Sequence, residues 1–146
     1  MYFVDRNKIE EKLQFLDIHL QVINTIESLE DDIYKTLSVE RAAHIIIECI
    51  IDVGNAMIDG FIMRDPGSYE DIIDILLDEK VITNEMAKDI IEVIKFRKML
   101  VQEYTEINHE RLYQNIKSAF ESLSLYPVKV RDYLVNELGP VSAFKN

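Results

Sequence analysis

Ser38-Val-Glu-Arg-Ala-Ala-His-Ile-Ile-Ile-Glu-Cys-Ile-Ile-Asp-Val-Gly-Asn-Ala-Met57 decides the fold class. Its residues Ala42, Ala43, Ile46, Ile47, Ile50, Val53, Ala56 and Met57 recur at helical spacing and cover a broad arc. A helix apolar over so wide an arc belongs at the centre of a helical assembly. Glu48 and Asp52 interrupt its greasiest part, Ile45 to Val53, which argues against a membrane span. Ser38 is a suitable N-cap, and Glu40 in the first turn complements the helix dipole.

The flanking segments repeat the pattern. Upstream, Ile9, Leu13, Leu16, Leu20, Ile23, Ile26, Ile33 and Leu37 predict one helix from Asn7 to Leu37 with a single buried face. At 1.5 Å per residue it would be ~45 Å long. Downstream, Arg64-Asp-Pro66-Gly67 stops the central helix, and Ser68-Tyr-Glu-Asp71 reads as a capping box for a short helix through Leu77. Thr83 or Asn84 caps a fourth helix running through Ile94 and Met99, and Asn108 a fifth carrying Leu112, Ile116, Ala119, Phe120 and Leu123. Pro127 is expected to open a short terminal helix that Gly139-Pro140 ends. No strand alternation is present. The expected architecture is all-α, one domain over residues 1–146, with 127–146 as a short C-terminal helix and tail.

Composition narrows the function classes. An apolar fraction of 48% beside a charged fraction of 29% describes a folded globular chain rather than a disordered one. The single Cys49 has no intramolecular partner, which suits a reducing cytosol, and the N-terminus lacks the apolar core of a signal peptide. A cytoplasmic protein is expected. The net charge of −11 repels polyanions at long range. One local exception is Lys95, Arg97 and Lys98, on which any RNA contact has to rely.

Metal and cofactor chemistry find no support. His19, His44 and His109 lie in different segments, and no two of them share an i, i+4 spacing. Glycine-rich phosphate loops and Gly-x-Ser-x-Gly elbows are missing. No metal and no cofactor are expected.

What remains is Arg97-Lys-Met-Leu-Val-Gln102-Glu-Tyr104. It resembles the signature of HepT-like proteins in the HEPN superfamily: an arginine, four spacers, a histidine, one spacer and a tyrosine closing a long helix. A second stretch is similar to the family's second helix: Glu40-Arg41-Ala42, Ile47-Glu48 and Ile51-Asp52-Val53-Gly54-Asn55. There polar residues face the arginine-bearing helix across the bundle. The resemblance covers nearly the entire chain and departs at one place, where Gln102 stands for the histidine.

The resemblance implies an up-and-down bundle of about five to six helices that forms a homodimer, with the motif helices meeting in a shared cleft. It implies a metal-independent ribonuclease toxin, checked by a minimal nucleotidyltransferase antitoxin that transfers AMP to the motif tyrosine. Carried over, Arg97 holds the scissile phosphate of an RNA substrate, Gln102 occupies the catalytic position and Tyr104 is the modifiable hydroxyl. Glu48, Asp52, Asn55 and Glu103 support the cleft.

The chemistry explains why these types matter. Metal-free RNA cleavage needs the 2′-hydroxyl deprotonated, the leaving oxygen protonated and phosphorane charge stabilised. Arginine suits the last task, because its planar fork is always charged and matches phosphate oxygens in pairs. On a regular helix Arg97 and Tyr104 fall within ~20° of each other, whereas position 102 lies ~140° from Arg97. The helix therefore has to end or loosen between them, or the cleft has to draw on both subunits. A carboxamide does not titrate near neutrality, so Gln102 is no general base. Glu103 and His109 are the nearby substitutes.

Blander readings stand beside these. Arg97 alone would snorkel or pair with Glu92 or Glu103, and Tyr104 would bury its ring at a helix end. A binding module that holds nucleotide, RNA or a partner protein without cleaving is the functional alternative, and a purely structural helical dimer is the third.

Overall fold

The computed structural model describes residues 2–139 and contains seven helical segments. They are α1 (Arg6–Thr25), α2 (Ile33–Gly60), α3 (Tyr69–Asp78), α4 (Asn84–Ile94), α5 (Arg97–Val101), α6 (His109–Ser118) and α7 (Phe120–Leu138). No strand occurs among the described residues. The chain is an all-α, up-and-down bundle. Lys95 and Phe96 keep right-handed helical angles, so α5 continues α4 after a tightened turn and the bundle is effectively six-helical.

The central position of α2 follows from its sequence. Ala42, Ala43, Ile46, Ile47, Ile50, Val53 and Met57 are all essentially inaccessible. Along one side lies α1 with Ile9, Leu13, Leu16, Leu20 and Ile23, in the largest face any two helices share. Ile72 and Leu76 of α3, Ile90 and Val93 of α4, Leu112 and Ile116 of α6, and Leu123 and Tyr126 of α7 complete the core. The buried Tyr126 hydroxyl donates to the Ile50 carbonyl at 3.0 Å, and Tyr113 donates to the Ile26 carbonyl. A Cβ on Gly54 would come within 2.4 Å of Ile72 Cγ2, so α3 lies this close to α2 only because residue 54 has no side chain.

The predicted helix from Asn7 to Leu37 is two helices. Glu30 and Asp31 adopt left-handed angles (φ 52° and 53°), and Asp32 rather than Ser38 caps α2, accepting from the Tyr34 and Lys35 amides. Asp32 and Ser38 are both of the preferred N-cap types, and the left-handed turn at Glu30 and Asp31 sets the helix start at the first of them. Ile33 and Leu37 kept the period but are exposed, so they never belonged to the buried face of α1.

The central helix also stops earlier than Arg64-Asp-Pro66-Gly67. It ends at Gly60, where Met63 N donates to Ile58 O (2.9 Å) and Ile62 takes φ 57° in a Schellman arrangement. Ser68 does cap α3 by accepting from Asp71 N, but Asp71 closes no box. Its carboxylate accepts from Gly67 N and from both ends of the Arg64 fork.

Pro127 lies inside α7 rather than opening a helix, and the break predicted there falls instead at Ala119. An interior proline loses one hydrogen bond and crowds the preceding turn, at a cost of about 3 kcal/mol. Leu123, Tyr126, Val130 and Leu134 are buried on both sides of it, and that packing keeps the helix continuous. Gly139 ends α7 with φ 84°; Pro140 and the rest of the expected tail lie outside the described residues.

No helix among the described residues is long and apolar enough to cross a membrane. Cys49 is buried and its thiol is pushed up to about 11, mainly by that burial.

Candidate functional site

Arg97 opens α5, where the tightened turn at Lys95 and Phe96 aims it at the middle of α2. Its Nε donates to Glu48 Oε1 at 2.6 Å. Its guanidinium carbon lies 4.5 Å above the centre of the Tyr69 ring at the start of α3. The Glu48 hydrogen bond holds the guanidinium above its ordinary pKa, so it stays charged. The two terminal nitrogens have no hydrogen-bond partner among the described residues, and about a quarter of the side chain is exposed (24%). An arginine gripped at Nε and by one face keeps its fork free for phosphate oxygens.

Neither acid expected to pair with Arg97 does so. Glu92 is engaged by Lys95 at 3.0 Å, and Glu103 turns into a neighbouring groove with Lys95, Phe96, Lys98 and Arg111. The basic triplet is thereby divided, with Arg97 facing α2 and Lys95 and Lys98 lining the groove toward α6. Glu103 is not brought to Arg97.

The helix does end inside the motif. Val101 is its last residue, Gln102 is the C-cap, and both Gln102 N and Glu103 N donate to Lys98 O (2.8 and 3.2 Å). Tyr104 therefore sits in a turn past the helix end, so the ~20° relation of a regular helix to Arg97 does not apply. Its side chain is 67% exposed rather than packed at the helix end. Gln102 is exposed too, with no side-chain hydrogen bond among the described residues.

Both ends of the motif segment are fastened to α2. Arg97 holds Glu48, and beyond the turn Asn108 caps α6 and places His109 Nε2 2.9 Å from Glu40 Oε2. Glu40, His44, Glu48 and Asp52 form an i, i+4 row on α2, and successive members point in similar directions. His44 Nε2 lies 3.7 Å from the same Glu48 oxygen that binds Arg97. Asp52 pairs with Lys12 of α1 at 3.2 Å, and a shallow cleft of about 270 Å³ between α1 and α2 is lined by Lys12, Phe15, Glu48 and Asp52. Asn55 is half-buried and has no hydrogen-bond partner among the described residues.

His44, Tyr69 and Lys12 were not singled out from the sequence. Only His44 left a readable trace there, its i, i+4 spacing to Glu48. Among the described residues no three His, Cys, Asp or Glu side chains converge to hold a metal ion.

The fold and site are those of an all-α bundle in which an arginine opening a short helix is held by a glutamate of the central one, and residues 9–130 match the Ribonuclease HepT-like family. The chain belongs to that family. It is 49% identical over 145 residues to the Bacillus subtilis (strain 168) protein named "Putative RNase YutE", spanning 99% of this chain and 100% of that one. The solved structure of YutE, described as a cytosolic protein, superposes with a TM-score of 0.94 at 48% identity, covering 99% of this chain and 100% of that one. The "tRNA nuclease HepT" of Aphanizomenon flos-aquae (strain 2012/KM1/D3) is 26% identical over 135 residues, 87% of this chain and 90% of that protein. The tri-AMPylated Shewanella oneidensis HEPN toxin, solved in complex with MNT antitoxin, shares the fold at TM-score 0.74 and 18% identity, over 85% of this chain and 96% of that one.

Proposed function

We propose that this chain is a HepT-like endoribonuclease that works without metal, the toxin of a pair whose partner is a minimal nucleotidyltransferase antitoxin. The observation that carries this is Arg97, anchored through Nε to Glu48 with its terminal nitrogens unengaged. That is the geometry a phosphate ligand needs, and Glu48 holds the side chain in place before substrate arrives. Family membership and the likeness to a tRNA nuclease support RNA as the substrate. The likeness in fold to a toxin bound to its antitoxin supports the pairing.

Tyr104 is the proposed AMP acceptor. Its hydroxyl-bearing side chain is well exposed on the turn after the motif helix, where a partner enzyme has access. Phe15 and Ile18 on α1, with Ile33 and Leu37 on α2, are exposed apolar side chains that a second copy would cover, which supports a homodimer. A cytoplasmic location fits the cytosolic description of YutE.

Gln102 favours the second reading, a bundle that binds RNA or nucleotide and does not cut, because a carboxamide does not titrate near neutral pH and cannot serve as general base or acid. Incubating the purified protein with tRNA in EDTA separates the two. Cleavage by the wild type supports the ribonuclease; an inert wild type that gains cleavage on Gln102→His indicates an intact cleft lacking its proton shuttle. If both proteins are inert yet bind RNA, the second reading is correct.

A further inference from the structure

We propose that His44 takes the proton-transfer role that Gln102 cannot fill, acting from α2 on a phosphate held by Arg97. The inference rests on the ribonuclease reading and adds a residue to it.

Placement is the first argument. His44 and Arg97 meet at one atom, Glu48 Oε1, which lies 3.7 Å from the imidazole Nε2 and 2.6 Å from the guanidinium Nε. An imidazole so close to the carboxylate that grips Arg97 stands within reach of a phosphodiester bound to that arginine's fork.

The row on α2 is the second. Two of its members, Glu48 and Glu40, fasten the two ends of the motif segment through Arg97 and His109. His44 lies midway, one helical turn or about 6 Å from each. The chain between those anchors carries Gln102 and Tyr104, so along α2 His44 falls between the two points where that segment is fastened.

The third is availability. The His44 side chain is 37% exposed, and 3.7 Å is beyond hydrogen-bond range, so neither ring nitrogen makes a hydrogen bond among the described residues. His109, by contrast, is engaged with Glu40, which lies about 12 Å along α2 from Glu48. His19 lies on α1 with Nδ1 at 2.8 Å from its own helix carbonyl, Phe15 O.

In the reaction this implies, a His44 ring nitrogen accepts the 2′-hydroxyl proton as O2′ attacks phosphorus. The O2′–P bond forms, the P–O5′ bond breaks, and O5′ leaves with a proton from water. The products are a 2′,3′-cyclic phosphate and a 5′-hydroxyl. The charged and titratable groups on the elements that meet this stretch of α2 are Glu40 and Glu48 on the helix itself, Arg97 on α5 at Glu48, Tyr69 on α3 against Arg97, His109 on α6 at Glu40, and Lys12 on α1 across the cleft from Glu48.

The test compares wild type, His44→Gln, His19→Gln and Gln102→His on a mixed-sequence RNA oligonucleotide in EDTA from pH 5 to 8. Binding of its 2′-O-methyl counterpart is measured alongside. The expected result is a roughly 100-fold slower His44→Gln enzyme. It also loses the rise in rate with pH seen for wild type and His19→Gln, while binding the 2′-O-methyl probe as wild type does. His44→Gln cleaving within about twofold of wild type overturns the proposal. So does a slower variant whose pH profile keeps its shape, which makes His44 a prop for Glu48 and Arg97. An inert wild type beside an active Gln102→His overturns the role of His44 and leaves the ribonuclease site standing. If both are inert, the ribonuclease reading itself fails.

Discussion

Glu48 and Arg97, 49 residues apart in the chain, meet through one 2.6 Å hydrogen bond from Nε to Oε1. Which nitrogen is used matters. A carboxylate facing the end of the fork would neutralise the groups that recognise phosphate. Engagement at Nε instead orients the guanidinium and leaves both terminal amino groups to a ligand. The Tyr69 ring covers one face of the same group at 4.5 Å, further restricting its rotation.

Glu48→Ala is therefore expected to slow RNA cleavage by about tenfold or more, with kcat falling more than KM rises. Its thermal stability should fall by only about 1 kcal/mol, since the pair is partly exposed. Steady-state kinetics and a melting curve check both. A variant with full activity would show that Arg97 orients itself without Glu48.

Gly54→Ala tests the packing that carries α3 and its Tyr69 against α2. The added methyl meets Ile72 Cγ2 at 2.4 Å, and such overpacking costs about 1–3 kcal/mol. Alanine's better helix propensity offsets about 1 kcal/mol of that. A net fall of several degrees in Tm is expected, and an unchanged or raised Tm would mean that Ile72 moves aside freely.

Acid titration tests the α2–α3 connection. The Arg64 guanidinium, with help from the Gly67 amide, lowers the Asp71 carboxyl from 3.8 to about 2. A carboxyl lowered on folding stabilises the fold above its unfolded pKa, and the contribution is lost as pH falls through the folded value. Asp71→Asn should accordingly show a shallower loss of stability than wild type between pH 4 and pH 2 in urea melts. Parallel curves would place the Arg64 contact outside the folding balance.

Cys49 reports on opening of the core. Its thiol is 6% exposed and raised to about 11 by burial, so thiolate is scarce at pH 8. Alkylation in the native state should run at the rate of unfolding and speed up with denaturant. Immediate labelling without denaturant would contradict the buried placement.

Much of the bundle is readable in the chain because caps and apolar periods are local. Ser68, Thr83 and Asn108 each accept from the backbone three residues on, where the sequence predicts helix starts. The reading fails where two local signals compete. Ile33 and Leu37 continue the period of α1, yet α1 ends at Thr25 and Asp32 caps a new helix that leaves both residues exposed. Pro127 carries a strong start signal that burial of Tyr126 and Val130 overrides. Arg97 and Glu48 were singled out by the resemblance of their two stretches to the family pattern, and the contact between them is a finding of the fold. Tyr69, Lys12 and the function of the His44–Glu48 step were not legible, because each depends on which helices meet, and that is a property of the packed core.

The central claim is that Arg97 holds the RNA phosphate, and comparing Arg97→Ala and Arg97→Lys with wild type in a metal-free RNA cleavage assay tests it most directly. The account predicts that Arg97→Ala loses cleavage by at least about 100-fold, as removal of a donor to developing charge does. Arg97→Lys should recover part of it, since a point charge replaces the fork. Cleavage by Arg97→Ala at the wild-type rate would contradict the account.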